Sequence, residues 1–175
     1  MGSKYTEENL LPALRLFIKV RHEAIALGLT DNGGAIHSVE RILDLLSQRI
    51  KYPGLNHLNN IKKDMLAERS IGAREALQRG EKVFIEHVKP RRAFAVAVID
   101  IIDKGATDTE IVEYIRNNFQ LVLLNREESR SLDRHNRTRI SPDRLAEAGI
   151  TLYAEKTQID PLALASAVKK KTGQL

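Results

Sequence analysis

Residues 82–90, with the sequence KVFIEHVKP, decide how the second half of this chain folds. Several of their side chains are β-branched or aromatic, and the segment is too short for a stable helix, so it predicts a strand. Pro90 ends that strand, because proline cannot donate a hydrogen bond to a sheet. Glu86 and His87 stand just before this end. On a regular strand they would point to opposite faces, but at a strand end both side chains can reach one cavity.

A second apolar run at 119–124 predicts a mostly buried partner strand. Two helices are predicted between the strands, one at 91–103 and one that starts at the capping-box sequence TDTE of 107–110. A short helix rich in arginine and glutamate is predicted at 126–134. The order is therefore strand, two inserted helices, strand and helix.

Residues 1–80 show helical rather than strand periodicity. Helices are predicted there at 7–27, 35–50 and 55–78, with a break near 69–72. Toward the end of the chain, helical turns are predicted at 142–148 and a final helix at 161–171. We expect an α+β, mainly helical fold, in which a helical subdomain (1–80) precedes a small two-strand core with inserted helices and a C-terminal helix (81–175).

The composition excludes several classes of function. The chain has 175 residues and no cysteine, which excludes disulfides, zinc fingers and thiol catalysis. No apolar run approaches the roughly 20 residues that a membrane span needs, so a cytoplasmic protein without a membrane partner is expected. The formal charge of +5 is compatible with a polyanionic partner.

An acid beside a histidine suits the hydrolysis of a phosphodiester. A carboxylate can hold Mg²⁺ or a similar ion against the phosphate, and a neutral imidazole can take a proton from the attacking water. Histidine suits the second task because its ordinary pKa of about 6.5 leaves it mostly neutral at pH 7.

Residues 85–90, then 118–124, then the arginine-rich helix resemble the ββα-metal fold of the HNH endonucleases. The resemblance implies that His87 is the general base and that Glu86 is a ligand of one Mg²⁺ or Mn²⁺ ion. It further implies that Asn118 pins the loop that carries the base.

One position departs from this family pattern. Ser129 stands where the family has its final histidine. An acid, Glu127 or Glu128, would supply the missing ligand, since Mg²⁺ prefers oxygen donors. Alternatively, Asn125 takes the place of the middle asparagine and His135 is the ligand. A third interpretation is a fold that binds nucleic acid without cutting it.

Basic residues cluster around both predicted strands. Guanidinium groups make paired hydrogen bonds to phosphate, and the residues expected to contact nucleic acid are Lys89, Arg91, Arg92, Arg126, Arg130, Arg134, Arg137 and Arg139. The alternative is a solvated face balanced by nearby acids through local ion pairs. Few aromatic side chains are present to stack bases, so duplex DNA is favoured, with RNA as a second option.

Two further functions compete with a metal-dependent DNA endonuclease. Arg130 and His135 match the Arg, four residues, His spacing that resembles the metal-free HEPN ribonucleases. A non-catalytic module whose basic face docks nucleic acid or an acidic protein is the other alternative. The oligomeric state is left open, with a homodimer as one option.

Overall fold

The computed structural model describes residues 6–55, 57–63, 67–136, 141 and 143–153, without the side chains of residues 135 and 136. The helix predicted at 161–171 lies outside this range. So do two of the predicted nucleic-acid contacts, Arg137 and Arg139, and the His135 side chain.

The class predicted from the sequence, α+β and mainly helical, is confirmed. The elements in chain order are α1 (Glu7–Ala26), α2 (His37–Lys51), a 3-10 helix (Leu58–Lys63), α3 (Ile71–Gln78), β1 (Phe84–His87), α4 (Arg91–Asp103), α5 (Asp108–Asn118), β2 (Leu121–Leu124), α6 (Arg126–Asn136) and α7 (Arg144–Glu147). Both predicted strands and the helices on either side of them are present, within a few residues of the expected bounds.

The strands β1 and β2 pair antiparallel, with Phe84 opposite Leu124 and His87 opposite Leu121. All four residues of β2 are buried, which agrees with its continuous apolar sequence. The helix α6 follows β2 directly and packs against both strands. The two strands and α6 therefore form a ββα unit, with α4 and α5 inserted between the strands.

Two short segments widen this sheet in a way that the sequence did not indicate. Residues 68–70 run along the free edge of β2, where the Ser70 amide donates to the Leu123 carbonyl at 3.0 Å. Residues 151–153 lie beyond them, because Ser70 also forms an antiparallel bridge with Leu152. The helix predicted over 55–78 is divided accordingly, since its central part pairs with the sheet instead of continuing the helical hydrogen bonds.

Ser70 also starts the helix after this pairing. Its backbone is extended, with φ −74° and ψ 165°, and its hydroxyl accepts the Ala73 amide at 2.9 Å. A serine in this position satisfies one of the free amides of the first helical turn. The break predicted near 69–72 thus coincides with the observed start of α3.

One buried apolar cluster crosses the boundary predicted at residue 80. It joins side chains of α1, α2, α4, α5 and β2, including Leu14, Leu43, Phe94, Ile111 and Leu121. A smaller cluster lies under α6 and α7 and contains Val122, Leu124, Leu132, Leu145 and Ile150. Within the part of the chain that the structure describes, no helix combines the length and apolar character of a membrane span.

Candidate functional site

A cleft of about 620 Å³ opens at the carboxyl end of β1. Its walls come from α2, the 3-10 helix, β1, the start of α4, α6 and α7. The charged and titratable side chains that line it are Arg41, Asp44, Glu86, His87, Arg91, Asp133 and Arg144. The predicted pair Glu86 and His87 therefore does reach one cavity, as expected for the last residues of a strand.

The His87 imidazole is bonded to a carboxylate from the helical first half. Its Nε2 lies 2.9 Å from Oδ1 of Asp44, which α2 carries into the cleft wall. The His87 side chain is 18% exposed and the Asp44 side chain 7%. The edge of the imidazole also contacts the ring of Phe119, with 5.6 Å between the centroids. These contacts hold the imidazole in one orientation.

Asp44 is ionised at neutral pH in spite of its burial. Burial alone raises its pKa, but the hydrogen bonds from His87 and Gln48, with the charges of His87 and Arg91, together hold the pKa of Asp44 below its ordinary value. An ionised carboxylate can only accept a hydrogen bond, so Nε2 of His87 carries the proton. In the neutral imidazole Nδ1 is then the proton-accepting atom.

Glu86 is bonded to a serine of α6. The Ser129 hydroxyl of α6 donates to Oε1 of Glu86 at 2.7 Å. Asp133, one turn further along α6, lines the same cleft. The contact therefore joins α6 to the end of β1.

Asn118 contacts the loop after His87. Its Oδ1 accepts a hydrogen bond from Nζ of Lys89 at 2.6 Å, and its Nδ2 donates to the Tyr114 carbonyl at 2.9 Å. The contact therefore joins the end of α5 to the loop that leaves β1. Lys89 is engaged in this contact, and neither residue is among those that line the cleft.

Glu128, a predicted metal ligand, is used to start α6. Its carboxylate accepts the Asn125 amide at 2.9 Å, while its own amide donates to Oδ1 of Asn125 at 2.8 Å. The Ser70 hydroxyl donates to the same carboxylate at 2.5 Å. This reciprocal arrangement is a capping box, and it leaves Glu128 outside the set that lines the cleft.

The donors that the structure describes do not by themselves fit a metal ion. Within the described ranges, no three histidine, aspartate or glutamate side chains lie together as a metal-binding group. Glu86 is bonded to Ser129, Glu128 caps α6, and the side chain of His135 is outside the description. The guanidinium of Arg144 also interacts electrostatically with Glu86 and Asp133, which places a cation among the cleft acids.

The basic residues that were predicted to contact nucleic acid lie in different environments. Arg91 lines the cleft, whereas Arg92 is bonded to Glu40 at 3.0 Å and to Asn32 at 2.7 Å. Apart from Lys89, the remaining described members are exposed along α6 at a spacing of four residues: Arg126, Arg130 and Arg134. Two of them line a groove of about 560 Å³ that shares Asp133 with the cleft.

Sequence reasoning missed two cleft residues, Arg41 and Asp44. A signal for Asp44 was present, because it falls eight positions after the buried Ile36 on the apolar stripe of α2. A carboxylate on such a stripe needs a buried partner. No comparable signal marks Arg41, whose position depends on tertiary packing.

The fold and the cleft define an α+β protein with a histidine–aspartate pair in a cleft that arginine side chains also line. Comparison with protein-family models, with curated proteins and with solved structures finds no match.

Proposed function

We propose that this chain hydrolyses phosphodiester bonds of nucleic acid, with duplex DNA as the favoured substrate. The observation that carries the proposal is the hydrogen bond of 2.9 Å between His87 and Asp44 inside the arginine-lined cleft. A histidine oriented by a buried carboxylate is suited to general-base catalysis. The resemblance of the ββα unit to HNH endonucleases supports the same chemistry.

His87 acts as the general base in this proposal. The oxygen of a water molecule attacks the phosphorus while one of its protons passes to Nδ1. The bond from phosphorus to the leaving oxygen breaks, and that oxygen takes a proton from solvent. Asp44 keeps the imidazole in the required tautomer and stabilises the imidazolium that forms.

Arginine side chains supply positive charge to the phosphate. Arg41 and Arg91 are exposed and line the same cleft as the histidine–aspartate pair. Their guanidinium groups can make paired hydrogen bonds to phosphate oxygens. The exposed arginines of α6 extend the basic surface beyond the cleft and would contact neighbouring phosphates.

The resemblance also implies Mg²⁺ or Mn²⁺, which would polarise the phosphate. Glu86 is the cleft carboxylate that the resemblance assigns to such an ion, with His135 or Glu128 as the second ligand. Within the described residues, these donors do not by themselves form a metal-binding group.

The test is incubation of the purified chain with plasmid DNA and with RNA, each in Mg²⁺, in Mn²⁺ and in chelator. We expect cleavage of DNA, a loss of activity of at least about 10²-fold in His87→Ala, and a comparable loss in Asp44→Asn, which leaves the tautomer uncontrolled. Loss of activity in chelator would show that the cleavage depends on a metal ion.

His22 gives a matched control, because its Nε2 lies 3.2 Å from Oδ2 of Asp103 on an exposed surface outside the cleft. His22→Ala should cut at the wild-type rate. Equal cleavage by His87→Ala would remove the proposed function. Salt-sensitive DNA binding without cleavage would favour the binding module, and chelator-resistant cleavage of RNA alone would favour the ribonuclease.

A further inference from the structure

We propose that Arg144 is a positioning residue for His87, which it holds through the backbone at the end of β1. The inference rests on the proposed function, since it concerns the general base of that reaction. Arg144 belongs to α7, far from β1 in the chain.

The contact lies at the carboxyl end of β1, where the pairing of β1 with β2 ends. Nη1 of Arg144 lies 3.0 Å from the carbonyl oxygen of His87 and 3.5 Å from that of Val88. The shorter contact is a hydrogen bond to the same residue whose imidazole meets Asp44. The amide of Val88 donates to the Gln120 carbonyl at 3.0 Å on the β2 side. The peptide after His87 is therefore held from two directions.

The guanidinium is itself firmly placed. Arg144 is 8% exposed, and its neighbour Leu145 packs with Leu132 and Ile150 in the smaller apolar cluster. Just beyond Ile150, residues 151–153 pair with the sheet. A guanidinium fixed in this way can hold the end of β1 at a small cost in entropy. An exposed arginine would lose more side-chain entropy on making the same hydrogen bond.

Holding the carbonyl matters because the imidazole has to stay in reach of the phosphate and of Asp44 together. A displacement of about 1 Å at a catalytic group can reduce the rate about 10²-fold. The carbonyls past a strand end also need donors when they are partly buried, since an unpaired one loses the hydrogen bond that it would make to water. Arg144 meets both requirements through the backbone of His87.

The experiment compares Arg144→Gln with Arg74→Gln. The guanidinium of Arg74 lies 4.1 Å from the ring centroid of Tyr153, outside the cleft, so its loss also removes an arginine contact at the C-terminal segment. We expect kcat to fall about 10- to 100-fold in Arg144→Gln with KM changed less than about twofold, and both constants to be unchanged in Arg74→Gln. A large rise of KM at unchanged kcat would overturn the positioning role, because it would mean direct binding of substrate.

A second readout does not depend on catalysis. The imidazole NMR signals of His87, assigned by their loss in His87→Ala, should shift or broaden in Arg144→Gln and stay at their wild-type positions in Arg74→Gln. If the wild-type chain cuts no nucleic acid, the proposed function fails, while these signals still decide whether Arg144 positions His87.

Arg144→Lys keeps a cation that can donate to the His87 carbonyl, and it should restore part of kcat and the wild-type signals. Unchanged His87 signals in a folded Arg144→Gln variant would overturn the proposal. It would be overturned equally if neither variant folded, since Arg144 would then be a residue of general stability.

Discussion

His87 is fixed at its ring and at its backbone, by residues from α2, β2, α7 and the segment between α5 and β2. Asp44 bonds to Nε2, the Phe119 ring packs against the imidazole edge, and the backbone is bonded to β2 and to Arg144. A side chain held in this way needs little reorganisation before it reacts. The residue therefore has the fixed geometry that general-base catalysis requires.

Gly72 is required where α3 crosses the start of α6. A Cβ at this position would lie 2.6 Å from Oε1 of Glu128 and within contact of the Asn125 side chain. Both side chains are already fixed in the capping box, so they cannot move away freely. We predict that Gly72→Ala lowers the free energy of unfolding by about 1–3 kcal/mol, measured by urea denaturation.

Gly54→Ala is the matched control for this substitution. A Cβ at residue 54 would have no atom within 4 Å, and the backbone there is not in the left-handed region. Its effect should stay within about 0.5 kcal/mol. If Gly72→Ala were as stable as Gly54→Ala, the close approach of α3 to the capping box would be disproved.

At the scale of elements, the orientation of α2 matters because this helix carries Asp44 and Arg41 into the cleft. The turn between α1 and α2 is tied to α1 by a paired ion contact. Nε and Nη2 of Arg21 bond to the two carboxylate oxygens of Asp31 at 2.8 and 2.7 Å. This contact limits how far the turn can move relative to α1.

The contribution of this contact should depend on pH. The hydrogen bond from Arg21, helped by its charge, holds the pKa of Asp31 below its ordinary value of 3.8, although burial acts in the opposite direction. The folded state therefore binds the Asp31 proton less readily than the unfolded state does. We predict that Asp31→Asn lowers the free energy of unfolding by up to about 1 kcal/mol at pH 7. The difference should be complete above about pH 5 and decline as the pH falls below 3.8.

Asp100→Asn is the control at the same scale. Asp100 pairs with Lys104 at 2.6 Å on the exposed surface of α4. Its removal should change the free energy of unfolding by less than about 0.5 kcal/mol. A pH-independent effect of Asp31→Asn would show that the ionised carboxylate is not what stabilises the turn.

For the molecule as a whole, the basic surface of α6 should set the salt dependence of nucleic-acid binding. Each phosphate that an arginine neutralises releases counterions, and for duplex DNA it adds about 0.9 to the slope of log Kobs against log salt. We predict that Arg126→Gln, Arg130→Gln and Arg134→Gln each reduce that slope by about 0.9. Titration of a labelled duplex at several salt concentrations measures it.

Lys104→Gln provides the comparison, because Lys104 is bonded to Asp100 and lines a separate cavity with Tyr114. It should leave the slope unchanged. If all three α6 variants kept the wild-type slope, the helix would be a solvated face balanced by its own acids.

Local signals in the sequence were sufficient for most of the elements. The cap at Thr107, the proline at 90 and the apolar run before α6 each act within a few residues, so periodicity and capping rules locate them. The break in the 55–78 region was indicated, but not its cause. Residues 68–70 join the sheet through bonds to β2, which no local pattern reports.

The candidate site was predictable in part, for the same reason. Glu86 and His87 are adjacent in the chain, and the strand end that unites them is a local feature. Asp44 and Arg144 come from elements far from β1, and only the packing of α2 and α7 brings them to His87. A single sequence has no local pattern that reports contacts between distant elements. The carboxylate that orients the imidazole was therefore missed.

The pairing of 151–153 with 69–71 has a consequence for how the chain reaches its native state. Contacts between neighbouring helices such as α1 and α2 close short loops, whereas this pairing joins segments from opposite parts of the sequence. Because long loops cost more entropy to close, such contacts form slowly. The pair of helices α1 and α2 should therefore form early in folding. The outer edge of the sheet at 151–153, together with α7, which carries Arg144 and lies just before it, should form last.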